Sequence, residues 1–327
     1  MKGWSPMPTD DQIHVPVKLD RVVELLAPAL IGPDAVADRP LWVVDGTLGM
    51  GGHAEALLRL SDDLQLLGID RDPQALAIAG RRLAFAGSRV HLAHAVFDEL
   101  PGLLRQHAVR GPAAVLLDLG VSSLQLDAEG RGFAYARDTP LDMRMDQSAG
   151  RSAMDVVNDY PTKELARVFR EYGEERFASR IAGAIVAARA DAPITSTAVL
   201  AELVRDAVPA PARRTGGHPA KRVFQALRIE VNDELGALRR VLPDLLASLA
   251  VGGRAVVLSY HSLEDRIVKR AFGAVTTSLA PPDLPVMGEP PAYRLLTRGA
   301  ELADEAEVAA NPRAASVRLR AVRREAA

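Results

Sequence analysis

Short apolar segments alternate with amphipathic segments in the first third of the chain. Four apolar segments predict strands, at Leu41–Asp45, Leu64–Asp70, Val90–His94 and Ala113–Leu119. The first, second and fourth are nearly continuous apolar runs that lead into a carboxylate, which is typical of parallel strands covered on both faces. Helical patterns fit between the strands, at His53–Arg59, Pro73–Phe85 and Asp98–His107. This alternation predicts an open α/β sheet.

The pattern changes in the middle of the chain. From about Asp127 to Arg214 no segment has the character of a strand. Helical periodicity instead predicts three helices, at Thr162–Tyr172, Glu174–Ala190 and Ser196–Val208. The segment Pro209–Pro219 has the composition of a linker. We therefore expect an all-helical insertion within the sheet domain.

The last third of the chain returns to the sheet pattern. A long helical region, Val223–Leu249, has Pro243 as a candidate break, and Arg254–Ser259 predicts a fifth strand. Two shorter strand candidates follow, around Arg294–Thr297 and at Ser316–Val322. The predicted division is a sheet domain in two parts, residues 1–126 and 219–327, around a helical domain at 127–218.

Composition narrows the possible chemistry. The chain of 327 residues is long enough for two domains or for one domain with a large insertion. A net charge of −2 argues against a wholly basic nucleic-acid binder, so RNA contacts would depend on local patches. The absence of cysteine excludes thiolate metal sites and pyrimidine C5 methylation through a cysteine nucleophile. No segment has the pattern of a signal peptide or a membrane span, so we expect a cytoplasmic protein.

The stretch LWVVDGTLGMGGHAEALLRL, residues 41–60, places a glycine-rich turn between the first strand and a helix. A dinucleotide fingerprint matches only partly, because Gly49 and Gly51 are followed by Ala54 at the sixth position. The pattern from Asp45 to Gly51 fits better to methyltransferases that use S-adenosylmethionine, in which alternate glycines follow an acidic residue. Thr47 replaces the first of those glycines.

Three carboxylates are predicted at strand ends, where ligands bind in open α/β sheets. Asp70 follows the glycine-rich turn at the sequence separation expected for a residue that accepts hydrogen bonds from ribose hydroxyls. Alternatively, its charge only stabilises the N-terminus of the helix that begins at Pro73. Asp118 ends the fourth strand and can meet an adenine amino group or cap a loop. Together with Asp45, these residues favour a nucleoside cofactor.

Several motifs then carry a specific resemblance. From about His14 to the C-terminus the chain is similar to the bacterial ribosomal RNA small-subunit methyltransferase H (MraW) family. The motifs are DGTLGMGGH, IDRDPQAL, LLDLGVSSLQLD, RGFAY, PLDMRMD, YGEERFASRIA, HPAKRVFQALRIEVNDEL, YHSLEDRIVK and NPRAASVRLR. The resemblance implies a Rossmann-like class I methyltransferase sheet with a helical substrate domain. It also implies N4 methylation of one decoding-centre cytidine of 16S rRNA, with S-adenosylmethionine as the methyl donor.

The resemblance implies a set of cofactor contacts, each of a suitable residue type. They are Gly51, Gly52, His53, Asp70, Phe97, Asp118 and Gln125. Glycines permit close approach, the His53 ring offers donors to a carboxylate, and Phe97 can pack on adenine. Taken alone, Phe97 would be a core residue and Gln125 a solvated loop residue. Leu124 and Ala315 depart from the proline and arginine that are usual in the family.

Transfer to a cytosine amine requires positioning and an acceptor for one amine hydrogen. The loop after the fourth strand reads DLGVSS, without the Asp/Asn-Pro-Pro-aromatic motif of many amino-methyltransferases. The candidates are the Ser122–Ser123 loop, Asp142 and His261, of which we favour Asp142 and His261 as catalytic residues. Alternatively, His261 caps the helix after the fifth strand and Asp142 pairs with Arg144.

RNA contacts are expected from local cations. The predicted RNA-binding residues are Arg144, Arg214, Lys221 and Arg222, although a charge cluster can also be only a solvated face. The expected partner is 16S rRNA within the small ribosomal subunit, with the target base splayed out of its stack. Two other functions stay open at this point, a nicotinamide-dependent dehydrogenase and a catalytically idle RNA-binding assembly factor.

Overall fold

Seven strands form one sheet in the part of the chain that the structure, a computed structural model, describes: residues 16–37, 39–128, 130–213, 218–277 and 291–325. The strands are β1 Leu41–Asp45, β2 Leu64–Asp70, β3 Val90–His94, β4 Ala114–Asp118, β5 Arg254–Ser259, β6 Tyr293–Leu295 and β7 Arg318–Arg324. Their order is β3-β2-β1-β4-β5-β7-β6. Strands β1 to β5 pair in parallel, and β7 runs antiparallel to both of its neighbours. The predicted Rossmann-like α/β fold is confirmed.

Helices cover both faces of the sheet and build the insertion. Those before the insertion are α1 Leu19–Leu30, α2 Gly52–Leu58, α3 Pro73–Arg82, α4 Leu100–Gln106 and α5 Ser123–Asp127. Those of the insertion are α6 Ala153–Asp159, α7 Thr162–Glu171, α8 Ala178–Asp191, α9 Thr197–Ala207 and α10 Ala210–Arg213. Those after it are α11 Ala220–Asn232, α12 Glu234–Ser248, α13 Ser262–Thr276 and α14 Glu305–Ala310. Helix α1 is not among the predicted helices.

The sheet is buried on both faces, as the apolar runs predict. Consecutive residues of a strand point to opposite faces, and in β1 the fully buried Val43 and Val44 belong to different hydrophobic clusters. The same division separates Leu116 from Leu117 in β4. Polar strand-end side chains therefore project from a rigid, well-packed base.

The helical insertion has a hydrophobic core of its own, and no strand occurs in residues 130–213. Its core contains Leu165, Phe169 and Ile181, together with Val223 and Leu227 of α11. Gly173 permits the close approach of α7 to α11, because a Cβ atom there would lie 2.6 Å from the Arg222 carbonyl oxygen. The predicted domain boundary at 218/219 stays a prediction, and α11, which follows it, packs with the insertion.

The long helical region after the insertion is divided at Asp233, and the break expected at Pro243 is wrong. Asp233 adopts a left-handed conformation with φ 48° between α11 and α12, whereas Pro243 lies inside α12. Gly236 accommodates this turn, because the Asp233 carboxylate occupies the space that a side chain at position 236 would fill. Among the described residues, no helix has the length and apolar character needed to cross a membrane.

Candidate active site

One cavity of about 740 Å³ lies at the carboxyl ends of the parallel strands. Its size is within the range of small-molecule sites. We call its strand-end side the sheet wall, formed by Thr47, Asp70, Asp118, Tyr260 and His261. We call the opposite side the helical wall, formed by Phe133, Tyr135, Lys221 and Phe224. The sheet and the helical core thus enclose a common space.

The glycine-rich turn after β1 is held in place by carboxylates and a hydroxyl. Gly49 N donates to Asp70 Oδ2 at 2.7 Å, and Thr47 N donates to Asp45 Oδ1 at 3.1 Å. Thr47 Oγ1 accepts from Asp118 N at 2.5 Å, so the threonine that replaces a glycine ties the turn to β4. Burial raises the pKa of Asp45 to about 8.

The two predicted glycines at the start of α2 have different surroundings. Gly51 has φ 78°, which disfavours any side chain, and its Cα faces Ala79 and Leu83 of the neighbouring helix and turn. Gly52 lines the cavity, and a Cβ atom there would lie 2.4 Å from Pro16 Cγ. Gly51 therefore shapes the turn, whereas Gly52 lets the N-terminal segment close over it.

Asp118 lies between two other polar groups of the cavity. Its Oδ1 accepts from the Tyr260 hydroxyl at 2.7 Å, and its Oδ2 lies 3.8 Å from His53 Nδ1. Burial raises the pKa of Asp118 to about 7 and lowers the pKa of His53 to about 4. Tyr260 follows β5 in the YHSLED motif, but sequence reasoning did not select it.

The His53 ring differs from the expectation that its donors face the ligand. Its Nε2 lies 3.0 Å from the Val17 carbonyl oxygen, which can only accept, so Nε2 carries the proton. Nδ1 of the neutral ring is then an acceptor, and it faces the carboxylate of Asp118. Two acceptors that face each other across 3.8 Å fit a ligand group with several donors, such as an ammonium.

The other predicted cofactor residues, Asp70, Phe97 and Gln125, also line the cavity. The polar atoms of Asp70 and Gln125 already make hydrogen bonds within the protein. Asp70 accepts from Gly49 N and, through Oδ1, from Asp72 N at 2.8 Å, and burial raises its pKa. Phe97 is half-buried. Gln125 is buried, and its amide bonds to Ser122 N and to Asp72 Oδ2. Phe97 and Gln125 thus line the cavity, Gln125 also caps α5, and their contact with a cofactor stays a prediction.

A buried ion pair joins the sheet to the insertion beside the cavity. Arg131 Nη2 donates to Asp72 Oδ2 at 2.8 Å, and the two residues are 4% and 1% exposed. The same nitrogen donates to the Met145 carbonyl oxygen at 2.7 Å, and Asp72 also caps α3 through Gln74 N. No local signal in the sequence points to this pair, because its members lie on separate elements.

His261 lies on the sheet wall and heads α13. Its Nε2 is 3.1 Å from Glu264 Oε1, within ion-pair distance, but neither ring nitrogen makes a hydrogen bond of suitable geometry among the described residues. Glu264 is 2% exposed and accepts from Tyr260 N and His261 N through Oε2. Its pKa is lowered, because contacts with His261 and the nearby Arg228 outweigh desolvation by burial. His261 can cap α13 and also act in catalysis, because the cap uses its backbone N–H and leaves the ring available.

Asp142 does not line the cavity. Its carboxylate accepts three hydrogen bonds from Arg144, from N, Nε and Nη2, at 2.8–2.9 Å, and one from Gln147 Nε2. These bonds hold the pKa of Asp142 below its usual range, although burial opposes them. The arrangement matches the structural pairing with Arg144 that the sequence left open.

The predicted RNA-binding cations are distributed differently. Lys221 is exposed on the helical wall, whereas Arg222 Nη1 donates to the Glu174 carbonyl oxygen at 3.3 Å. Arg144 is engaged with Asp142, and Arg214 lies outside the described residues. Of the two departures from the family pattern, Leu124 is half-buried in α5 and Ala315 is exposed on the cavity wall.

Comparison with known proteins gives the family. The model of the MraW methylase family matches residues 11–325, nearly the whole chain. The chain belongs to the MraW methylase family. It is 63% identical over 313 residues to the "Ribosomal RNA small subunit methyltransferase H" of Saccharopolyspora erythraea, covering 95% of this chain and 93% of the relative. The protein of the same name from Thermobifida fusca is 60% identical over 322 residues, covering 98% of this chain and 94% of the relative.

The chain is therefore a methyltransferase by family, and the cavity at the strand ends is the candidate for its active site. Asp70 and Asp118, which end β2 and β4, line the cavity together with His261, which follows β5. Their roles in binding and catalysis stay predictions. Sequence reasoning missed Tyr260, Glu264 and the Asp72–Arg131 pair. The sequence did contain a signal for Tyr260, because it directly follows the predicted strand Arg254–Ser259 and directly precedes His261, which was selected.

Proposed function

We propose that this protein transfers a methyl group from S-adenosylmethionine to the exocyclic N4 amine of a decoding-centre cytidine in 16S rRNA. The observation that carries the proposal is the cavity that joins the sheet wall, with its polar groups, to the aromatic and cationic helical wall. The names of the relatives support ribosomal RNA as the substrate. The substrate is the small ribosomal subunit, encountered in the cytoplasm.

The residues of the sheet wall fit the parts of S-adenosylmethionine. The facing acceptors Asp118 Oδ2 and His53 Nδ1 suit its ammonium, which would satisfy both. Asp70 still has acceptor capacity for ribose hydroxyls beyond its two backbone bonds. Phe97 offers an apolar surface to adenine, and Gly51 and Gly52 shape the turn that receives the methionine part. Gln125 completes the wall beside Asp72.

When bound, the cofactor supplies a methyl group made electrophilic by its sulfonium. The cytosine amine is a poor nucleophile, because its lone pair is delocalised into the ring, so orientation and removal of one amine proton are the tasks of the protein. We assign the proton to His261 Nδ1, which is a buried acceptor without a partner. Glu264 would stabilise the resulting imidazolium through Nε2, and the proton then leaves to solvent.

The remaining predicted residues take supporting roles in this proposal. Asp142 orients Arg144 rather than accepting a proton, because its oxygens are filled by Arg144 and its lowered pKa makes it a weaker base. Lys221, Arg222 and Arg144 contact phosphates at the entrance, and Arg214 is assigned to the same group from its sequence position alone. The insertion at 127–218 then acts as the substrate-recognition domain.

The test uses methyl-labelled S-adenosylmethionine and small subunits from cells that lack the modification. After the reaction, the RNA is digested and the labelled nucleoside is identified. We expect the label in N4-methylated cytidine or its 2′-O-methylated form. Cofactor binding without any label in RNA would contradict the proposal and favour the idle binding factor. Binding of NAD in place of S-adenosylmethionine would favour the dehydrogenase instead.

A further inference from the structure

The helical wall carries a stacked pair of aromatic rings. The rings of Tyr135 and His218 lie 4.8 Å apart between centroids with an angle of 17° between their planes. The Phe224 ring is nearly perpendicular to Tyr135, at 5.8 Å and 79°. Tyr135 and Phe224 line the cavity that contains Asp118 and His261. Tyr135 thus belongs both to this cavity and to a stacked pair, whose other ring, that of His218, is not among the cavity-lining residues.

We propose that Tyr135 is the stacking platform for the extruded target base, and that the His218 ring occupies the place of that base in the free protein. The proposal rests on the proposed function and extends it to substrate recognition. An enzyme that modifies a base within folded RNA must remove it from its stack, and an aromatic ring replaces part of the lost stacking.

His218 has the properties of a displaceable substitute for the base. It is exposed, and its ring is flat and comparable in size to a pyrimidine. Its Nδ1 accepts from Ala220 N at 3.2 Å, a bond at the start of α11 that does not depend on the stack. Because the His218 ring is exposed, another planar ring can displace it and stack on Tyr135 in its place.

The other aromatic residues of the cavity are less suited to this role. Phe133 is 8% exposed and packed in the helical core, so its faces are covered. Phe97 lies at the opposite wall, after β3, and is assigned to adenine. Lys221 follows His218 by three residues at the cavity edge, where it would contact the phosphate of a nucleotide stacked on Tyr135.

The experiment compares Tyr135→Ala, Tyr135→Phe and His218→Asn with the wild type. Each protein is assayed for methylation kinetics and for equilibrium binding of unmodified small subunits with S-adenosylhomocysteine present. Calorimetry gives the S-adenosylmethionine affinity, and thermal unfolding reports on the fold. His218→Asn is matched to the structure, because its side-chain oxygen can still accept from Ala220 N while the ring is removed.

We expect Tyr135→Ala to lower kcat/KM for subunits by about 5- to 150-fold, the range for loss of one base–aromatic stack. Tyr135→Phe keeps the ring and should match the wild type. His218→Asn should equal or exceed the wild type in subunit binding, because the competing ring is gone. The affinity for S-adenosylmethionine should not change in any variant.

Three results would overturn the proposal. They are wild-type kinetics for Tyr135→Ala, equal damage from Tyr135→Phe and Tyr135→Ala, or a loss in His218→Asn as large as in Tyr135→Ala. The last would mean that the base lies between both rings. Failure of the proposed function is seen separately, as the wrong labelled nucleoside with wild-type protein. In that case the subunit-binding measurement, which needs no turnover, still decides the role of Tyr135.

Discussion

The sheet wall and the helical wall of the cavity are built by different means. On the sheet wall, the polar side chains stand at the ends of parallel strands or within two residues after them, and hydrogen bonds between neighbouring strand ends, such as Asp118 N to Thr47 Oγ1, fix them. On the helical wall, Tyr135 and Phe224 meet only because a separate hydrophobic core brings distant segments together. The first wall is thus determined by topology, and the second by tertiary packing.

The two walls also differ in chemistry. On the sheet wall, burial raises the pKa values of the Asp70 and Asp118 carboxyls, that of Asp118 to about 7. The helical wall is aromatic and cationic, and its charge at Lys221 is exposed. We infer that the sheet wall serves a small, tightly defined cofactor and a proton transfer, whereas the helical wall serves a large anionic substrate. Changes to each wall should therefore affect different measurements.

The largest effect is expected for His261→Gln on the sheet wall. Loss of the proton acceptor should lower kcat by about 100- to 10,000-fold, with little change in KM for subunits or in cofactor affinity. The cap of α13 should persist, because it uses the His261 backbone N. Single-turnover methylation measures the effect, with His91→Gln, outside the cavity, as the control. A kcat equal to that of the wild type would remove His261 from the mechanism.

The second prediction concerns the joint between the walls. Asp72→Ala leaves the Arg131 charge buried without its partner and removes the cap of α3, so the free energy of unfolding should fall by about 3–5 kcal/mol. Denaturant unfolding followed by circular dichroism measures it. The control is Glu202→Ala, which removes an exposed pair with Arg205 and should cost at most about 1 kcal/mol. An equal loss of unfolding free energy in the two variants would show that the Asp72–Arg131 pair does not hold the sheet and the insertion together.

The contrast between the walls also explains how far the sequence could predict the molecule. The bounds of β1, β2, β3 and β5 match their predictions, and β4 is one residue shorter at each end than predicted. In β1 and β2 a nearly continuous apolar run that ends in a carboxylate leaves the strand little freedom. The position of the strand-end carboxylates could be predicted as well, because the carboxyl ends of parallel strands lie at the same edge of the sheet. The break at Asp233 could not be predicted, because a left-handed residue without glycine depends on tertiary contacts. The same holds for Asp72–Arg131 and Tyr135–His218, whose partners meet only in the folded chain.

The third prediction tests the cofactor part of the sheet wall. Asp118→Asn keeps an acceptor for the Tyr260 hydroxyl but removes the charge that would face the ammonium. The affinity for S-adenosylmethionine should fall by about 10- to 150-fold, as for a hydrogen bond to a charged group. Calorimetry measures it. Asp98→Asn, which breaks an ion pair with Arg240 outside the cavity, is the control and should bind like the wild type.

The raised pKa of Asp118 adds a pH dependence to this prediction. Because the folded-state pKa is about 7 against an ordinary 3.8, the stability contributed by the protonated group is complete below about pH 4 and is lost as pH rises through 7. An ammonium favours the ionised form, so cofactor affinity should increase from pH 6 to pH 8 with release of a proton. Calorimetry in two buffers of different ionisation enthalpy measures that release. If Asp118→Asn retains the full proton release, the group that titrates lies elsewhere.

The smallest effect is expected on the helical wall, for Lys221→Gln. Lys221 is exposed, so its loss should remove about one counterion-releasing contact and lower the slope of log affinity against log salt by about 1. Cofactor affinity and kcat at saturating subunits should not change, because the sheet wall is untouched. Subunit binding at several salt concentrations measures the slope, with the exposed Lys163→Gln on α7 as the control. Should Lys221→Gln instead weaken cofactor binding, the two walls would not act as separate sites, and the division of the cavity into a cofactor side and an RNA side would have to be abandoned.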